Sequence, residues 1–420
     1  MPVCAKIKIR RSSIVMFASI SVLITLSEAM YDLVFANLAY SITGKTSSVT
    51  STYAFGYVAE ILIALAGSGF IDRFNKWKLF IATQCLNIVV FVAAIVTLSA
   101  HKHSVWLIWG FAFSIDLIHQ YTRMIMFALV PFLFVREEIS RVNGFLATLN
   151  GVARSVGPAV GALAILQVGL PMSLALSLSF LIAGVLMATP LSAFYKISSM
   201  KYCSEESSLK LRFQESFTGA SRSAVMLLKS KKWRAFLGLY SSCVLVIGVL
   251  ALLWITFLRD FHSFAPDETG YIYSIAAFGA ILGGIVSRGF SKEHNIPSLI
   301  FTSHIVMFFG VVLAVGIKNN PFTVAFGMFL FQLGATFYFR STATIIQLAV
   351  PKHVIGSWYG AIDFISRFAG LSGILVVGFA YDAVGAYWVY AAILALLMLS
   401  SFNWIPSRQV SFMEKMQANH

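Results

Sequence analysis

Twelve long apolar runs leave this 420-residue chain little choice of solvent. A helix needs about 20 mostly apolar residues to cross a bilayer. Runs of that kind lie at roughly 14–42, 48–71, 78–100, 104–134, 140–168 and 171–192. Six more lie at roughly 235–258, 268–288, 297–317, 321–348, 355–380 and 386–405. The one long polar stretch, 193–234, divides the two groups. Only 11% of the residues are charged, against about 25% in a soluble domain, so most of the surface must meet lipid. The first run follows a basic N-terminus, as a signal peptide does. It is too long, carries Glu28 and lacks an A-x-A cleavage pattern, so it reads as an uncleaved span. Four cysteines without CxxC or a nearby histidine imply neither a disulfide framework nor a metal site. The expected fold class is an all-α membrane protein.

The net charge of +14 is explained by topology. If loops alternate sides from a cytoplasmic N-terminus, 23 of the 31 basic residues fall inside. Nine of these lie in the central loop, and only Lys45, Lys102, Arg259 and Lys318 fall outside. The excess of Lys and Arg in cytoplasmic loops then places both termini and the central loop in the cytoplasm. Nucleic acid is not implied as a partner; anionic lipid is. Within the central loop, 208–232 interleaves apolar and basic residues, which suits either an amphipathic helix on the inner leaflet or a solvated tether.

Six spans on each side of one loop suggest a duplication. Gly69–Arg73 aligns with Gly284–Arg288 at an offset of 215, and Val135–Ile139 with Pro351–Ile355 at 216, where Gly144 also falls on Gly360. The expected organisation is a six-helix half over 1–192, a cytoplasmic loop over 193–234 and a second half over 235–420.

The segment Ser68-Gly69-Phe70-Ile71-Asp72-Arg73-Phe74-Asn75-Lys76-Trp77-Lys78 resembles the G-x-x-x-D-R-x-G-R-[KR] signature of the major facilitator superfamily. Tyr31-Asp32, Thr43–Ser47, Phe134–Glu138 and Ala349–Lys352 resemble the branch that holds enterobactin exporters and macrolide-efflux proteins. Gly157-Pro158-Ala159-Val160-Gly161 is similar to the core of the antiporter motif. Ser68, Asn75, Trp77 and Ala153 depart from these patterns. The resemblance implies twelve transmembrane helices in two pseudo-symmetric six-helix halves, with spans 1, 4, 7 and 10 lining a central cavity. It implies a latch at Asp72-Arg73 and a bend with close helix packing at Gly157-Pro158.

Nine ionisable residues fall inside spans: Glu28, Asp32, Glu60, Asp116, Asp363, Arg123, Arg154, Arg340 and Arg367. Each costs about 2.5–3.5 kcal/mol at a helix centre, so they should face inward and pair. Glu28 and Asp32 share a face of span 1, and Asp116, His119, Gln120 and Arg123 form one stripe of span 4. Asp363 and Arg367 are spaced for an internal pair on span 11. The expected substrate and proton residues are Glu28, Asp32, Asp116, His119, Arg123 and Arg340, with Asp32 beside Arg123 at the centre. Arg154 suits either a cavity role or capping of carbonyls freed by Pro158, and Glu60 a pairing role with Arg154 or Arg123. His304 reads as packing and Asp382 as a loop cap.

The expected function is proton-coupled secondary transport of an organic solute by a monomer in the bacterial inner membrane. Four buried arginines favour an anionic, siderophore-like substrate; the alternative is efflux of lipophilic or cationic drugs. No cofactor is implied. An enzyme would need a set such as HExxH or GxSxG, and the eight histidines include no i,i+4 pair. A non-transporting sensor would tend to lose its cavity charges, and these are retained.

Overall fold

The computed structural model describes residues 11–43, 46–100, 104–194, 219, 221–264, 266–287 and 296–402. The basic N-terminus, Arg288 and most of the 193–234 loop lie outside the described residues. Every regular element described is helical. In chain order these are α1 (Arg11–Thr43), α2 (Thr46–Ala66), a short α3 (Ser68–Arg73), α4 (Lys76–Ala100), α5 (Val105–Leu133), α6 (Arg136–Val168) and α7 (Leu170–Phe194). After α8 (221–229) come α9 (Lys231–Thr256), α10 (Pro266–Ser287), α11 (Ile296–Gly316), α12 (Pro321–Ala349), α13 (Ile355–Val384) and α14 (Ala386–Phe402). Among the described residues, seven of the long helices have the length and apolarity to cross a membrane, and α2, α10 and α14 hold shorter apolar stretches. In α5 and α13 the charges of the central cluster interrupt the apolar run.

The ends follow local chemistry. The Asn320 side chain accepts the N–H groups of Phe322 and Thr323 at 3.1 and 3.2 Å, with Pro321 in the first turn, a combination that starts α12. Gly169 ends α6 at φ 81°, and Gly385 ends α13 at φ 84°. Both use a backbone region open to glycine. They stand 216 residues apart, the same offset that relates Gly144 to Gly360.

α1 packs against α6 and α7, and α2 and α4 against α5; in the second set α12 packs on α10 and α11, and α13 on α9. The two sets meet through α2 and α3 on α13, and through α6 on α10 and α12. One end of the bundle carries exposed Lys78, Arg136, Arg141, Lys231, Arg234 and Lys352. The opposite end carries exposed Trp106, Tyr271, Phe322, Tyr387 and Trp388, as at a membrane interface. α8 lies at the basic end, with Leu227 buried and Val225, Met226 and Leu228 outside.

Hydrogen bonds close the basic end between the sets. The Asp72 carboxylate accepts the N–H groups of Gly356 and Ser357 at 2.6 and 2.7 Å and the Ser357 hydroxyl at 2.6 Å. A carboxylate is thus seated on the N-terminus of α13, where free amides and the helix dipole favour it. Asn143 on α6 donates to Thr344 and Gln347 on α12 at 3.0 and 2.6 Å.

A ring of charges between the helix sets

Seven of the nine buried charges and His119 converge where α1, α2, α5, α6 and α13 face one another, and Asp32 lies one turn from Glu28 on α1. At the centre is a closed ring. Arg123 on α5 pairs with Glu60 on α2, and Glu60 pairs through its other oxygen with Arg367 on α13. Arg367 holds Asp363 at 2.9 Å, one turn earlier on α13. Asp363 accepts from Gln120, and the Gln120 oxygen accepts Arg123 Nε at 2.8 Å. Glu28 hangs from the ring by an ion pair to Arg123. Two links, Glu60–Arg367 and Gln120–Asp363, join the two helix sets.

The expected pairing of Asp32 with Arg123 does not form: Glu28 takes the arginine, one turn nearer the basic end. Asp32 is half-buried and has no hydrogen-bond or ion-pair partner among the described residues. Asp116 accepts the Tyr31 hydroxyl at 2.7 Å. The absence of a side chain at Gly56 makes room for its other oxygen: a Cβ there would lie 2.5 Å from Asp116 Oδ2. His119 stacks edge-on against Tyr31, fully buried, with neither ring nitrogen bonded.

Arg154 is 56% exposed, and its one ion pair among the described residues is a 3.5 Å contact with Glu28. It does not cap the carbonyls near Pro158; α6 continues through that proline. α6 and α1 approach closely at Gly157, where a Cβ would fall 2.5 Å from that of Ala29. A half-exposed arginine at this depth requires water rather than lipid around it.

Arg340 is not in the cluster. It lies near the basic end, 3% exposed, and donates to Ser140 and to the Ser287 carbonyl. Asp363 and Arg367 form the expected internal pair but also belong to the ring. His304 is bonded to the Ile300 carbonyl at 2.8 Å and buried, as a packing residue. Arg73 lies on α3 beside Asp72, and the Asp382 side chain lies outside the described residues. Gly56, Ser357 and Ser140 escaped the sequence reading because their importance lies in what they touch, and Tyr31 was noted there only as part of a motif. Among the described residues there is no group of three or more His, Cys, Asp or Glu suited to a metal ion.

A sequence model of the Major Facilitator Superfamily matches residues 13–374. The chain belongs to that superfamily. Superfamily proteins are transporters, not enzymes, and bind small-molecule substrates within the membrane. In sequence, the chain is 23% identical over 157 residues to the niacin transporter NiaP of Acinetobacter baylyi. That match spans 37% of this chain and 31% of the relative, so it covers less than a third of the relative's length. In structure, the chain is similar to a bacterial homologue of the iron transporter ferroportin in an outward-facing state. The TM-score is 0.75 at 12% identity, over 94% of this chain and 98% of that one. It is also similar to the human organic anion transporter MFSD10, with a TM-score of 0.74 at 12% identity over 94% and 99% of the two chains. These likenesses establish the superfamily fold.

Proposed function

We propose that this superfamily member is a proton-coupled secondary transporter that carries an organic anion as a monomer. Its basic end would face the cytoplasm of a bacterial inner membrane. The observation behind this reading is a charge imbalance. Five carboxylates (Glu28, Asp32, Glu60, Asp116 and Asp363) share the cluster with three arginines (Arg123, Arg154 and Arg367). Three of the carboxylates are ion-paired; Asp32 and Asp116 are the surplus. Unpaired charge is costly at membrane depth, and two protons remove it.

Arg154 supplies the anion site. Arg123 and Arg367 are saturated by carboxylates, whereas Arg154 is 56% exposed and holds Glu28 only at 3.5 Å, which leaves its fork available to an anion. An arriving carboxylate would draw Arg154 from Glu28 and alter the field at Asp32, which Arg154 also influences. Proton and substrate occupancy are thereby linked. Siderophore-like carboxylates lead the substrate class, in keeping with the resemblance of several motifs to those of enterobactin exporters and with an organic anion transporter among the structural relatives. A second reading has one observation in its favour: the two surplus carboxylates could be neutralised by a cationic drug instead of protons, as in multidrug efflux.

The test is flux into proteoliposomes under an imposed pH gradient, using a carboxylate siderophore panel, niacin and a cationic dye. Wild type is compared with Asp32→Asn and Arg154→Gln. Anion flux that follows the gradient and is lost in both variants supports the proposal. Dye flux that survives Arg154→Gln, without anion flux, overturns it in favour of efflux.

A further inference from the structure

We infer that Arg340 is the second of two latches at the basic end, occupying the place where the repeat has no carboxylate. The first latch is Asp72, seated on Gly356 and Ser357 of α13. The repeat carries Asp72 onto Ser287, at the end of α10, and Gly356 onto Ser140, in the second turn of α6. Those two elements do meet: Gly284 of α10 packs directly on Thr148 of α6. Ser287 has no carboxylate with which to bind its neighbour.

Arg340 fills the gap from α12. Its Nη2 donates to Ser140 Oγ at 2.8 Å and to the Ser140 carbonyl at 3.1 Å, and Nε reaches that carbonyl at 3.3 Å. Nη1 donates to the Ser287 carbonyl, at the negative end of the α10 dipole. All three residues are buried, and Arg340 has no carboxylate partner among the described residues. A buried guanidinium depends on such acceptors, and here two of the three, both on Ser140, belong to the other helix set. Opening the basic end would carry Ser140 away with α6 and leave Arg340 with Ser287 alone. Arg340, Thr344 and Gln347 form one stripe of α12, and the last two receive Asn143 of α6. The stripe is therefore a closure surface rather than a cavity wall. The two latches are complementary: a carboxylate of the first set on an α13 N-terminus, and an arginine of the second set on α6.

This inference rests on alternating access and not on which solute or ion is carried. It is tested by pulsed electron-paramagnetic-resonance distances between spin labels at Lys78→Cys and His353→Cys, with the native cysteines replaced. The short, closed distance should dominate in the parent. Loss of a charge-assisted hydrogen bond should raise the open-to-closed ratio about tenfold in Arg340→Gln. Ser140→Ala should move the ratio the same way, by about threefold for one neutral acceptor. Arg340→Lys should fall between parent and Arg340→Gln, since a compact ammonium keeps the charge but lacks the spread fork that reaches both serines. Unchanged distances in Arg340→Gln and Ser140→Ala, while Asp72→Asn opens the gate, would overturn the inference. If Arg340→Gln fails to fold, an unchanged Ser140→Ala overturns it alone.

Discussion

Glu60 and Arg367 form an ion pair that joins the two helix sets through the interior of the bundle. Because Glu60 also binds Arg123, movement of α13 away from α2 breaks a ring rather than an isolated pair. In alternating access the ring has to exchange partners whenever the basic end opens. Its neutral member, Gln120, can accept from an arginine and donate to a carboxylate at once, so it spans the sets without adding charge.

Glu60→Gln should therefore be among the most damaging single substitutions in the chain. It leaves Arg123 with Glu28 and Arg367 with Asp363 but removes the carboxylate that bridges them, at about 1.5–3 kcal/mol for each charge-assisted bond lost. A clear fall in the thermal melting midpoint in detergent is expected, with loss of transport. A variant that melts with wild type would show that the ring is not held by charge.

On the proposed proton-coupled mechanism, Gly56→Ala should impair coupling and spare the fold. The added methyl falls 2.5 Å from Asp116 Oδ2 and must displace the carboxylate from Tyr31. Transport down a substrate gradient should persist while gradient-driven accumulation falls several-fold, and Tyr31→Phe should share the phenotype. Normal accumulation in both variants would remove Asp116 from the coupling path.

At the first latch, Gly356→Ala should loosen the basic end. Its Cβ would lie 2.8 Å from Asp72 Oδ1, from Ile71 Cβ and from the Ser68 carbonyl, so α3 would have to lift off α13. Gly360, one turn on, faces Ser68, which stands where the superfamily signature has glycine. Close approach at this joint is therefore secured from the α13 side. Faster alkylation of a cysteine placed at Ser68 is the expected readout in Gly356→Ala, and an unchanged rate would mean that α3 absorbs the methyl.

The fold was legible in the sequence because lipid imposes a coarse rule: long apolar runs become helices, and loop charge marks one end. The buried cluster was legible for the same reason, since every charge in a span needs company. Partners were legible only in part: Asp363–Arg367 and Glu60–Arg123 were expected and form, whereas the partner of Arg123 on α1 was misplaced. Spacing on one helix places Glu28 and Asp32 on a common face, but which of them meets Arg123 depends on how far α1 slides along α5. Arg340 looked like a cavity residue because its partners are backbone carbonyls and a serine, which carry no signal in a charge count. The Gly169–Gly385 correspondence was equally present in the sequence, yet only a shared positive φ separates it from chance.

The corner opposite the basic end should weaken in acid. His262, buried between α9 and α10, bonds the Ala314 carbonyl through Nε2 at 3.0 Å and accepts the Asn319 N–H at Nδ1, also at 3.0 Å. That pair of bonds requires a neutral ring, with the proton on Nε2. It also holds Asn319 at φ 58°, a conformation that asparagine tolerates better than most residues. Burial pushes the His262 pKa below the ordinary histidine value of about 6.5, against the bond that Nε2 donates to the Ala314 carbonyl, and the charge of Lys318 acts in the same direction as burial. A depressed pKa means that the unfolded chain takes up the proton first. The stabilisation is complete above about pH 6.5 and is lost as pH falls toward the folded value. Melting midpoints measured from pH 7.5 to 5 should drop more steeply for wild type than for His262→Gln. Parallel curves would show that the proton goes elsewhere, and a wild-type curve that rises in acid would reverse the sign of the argument.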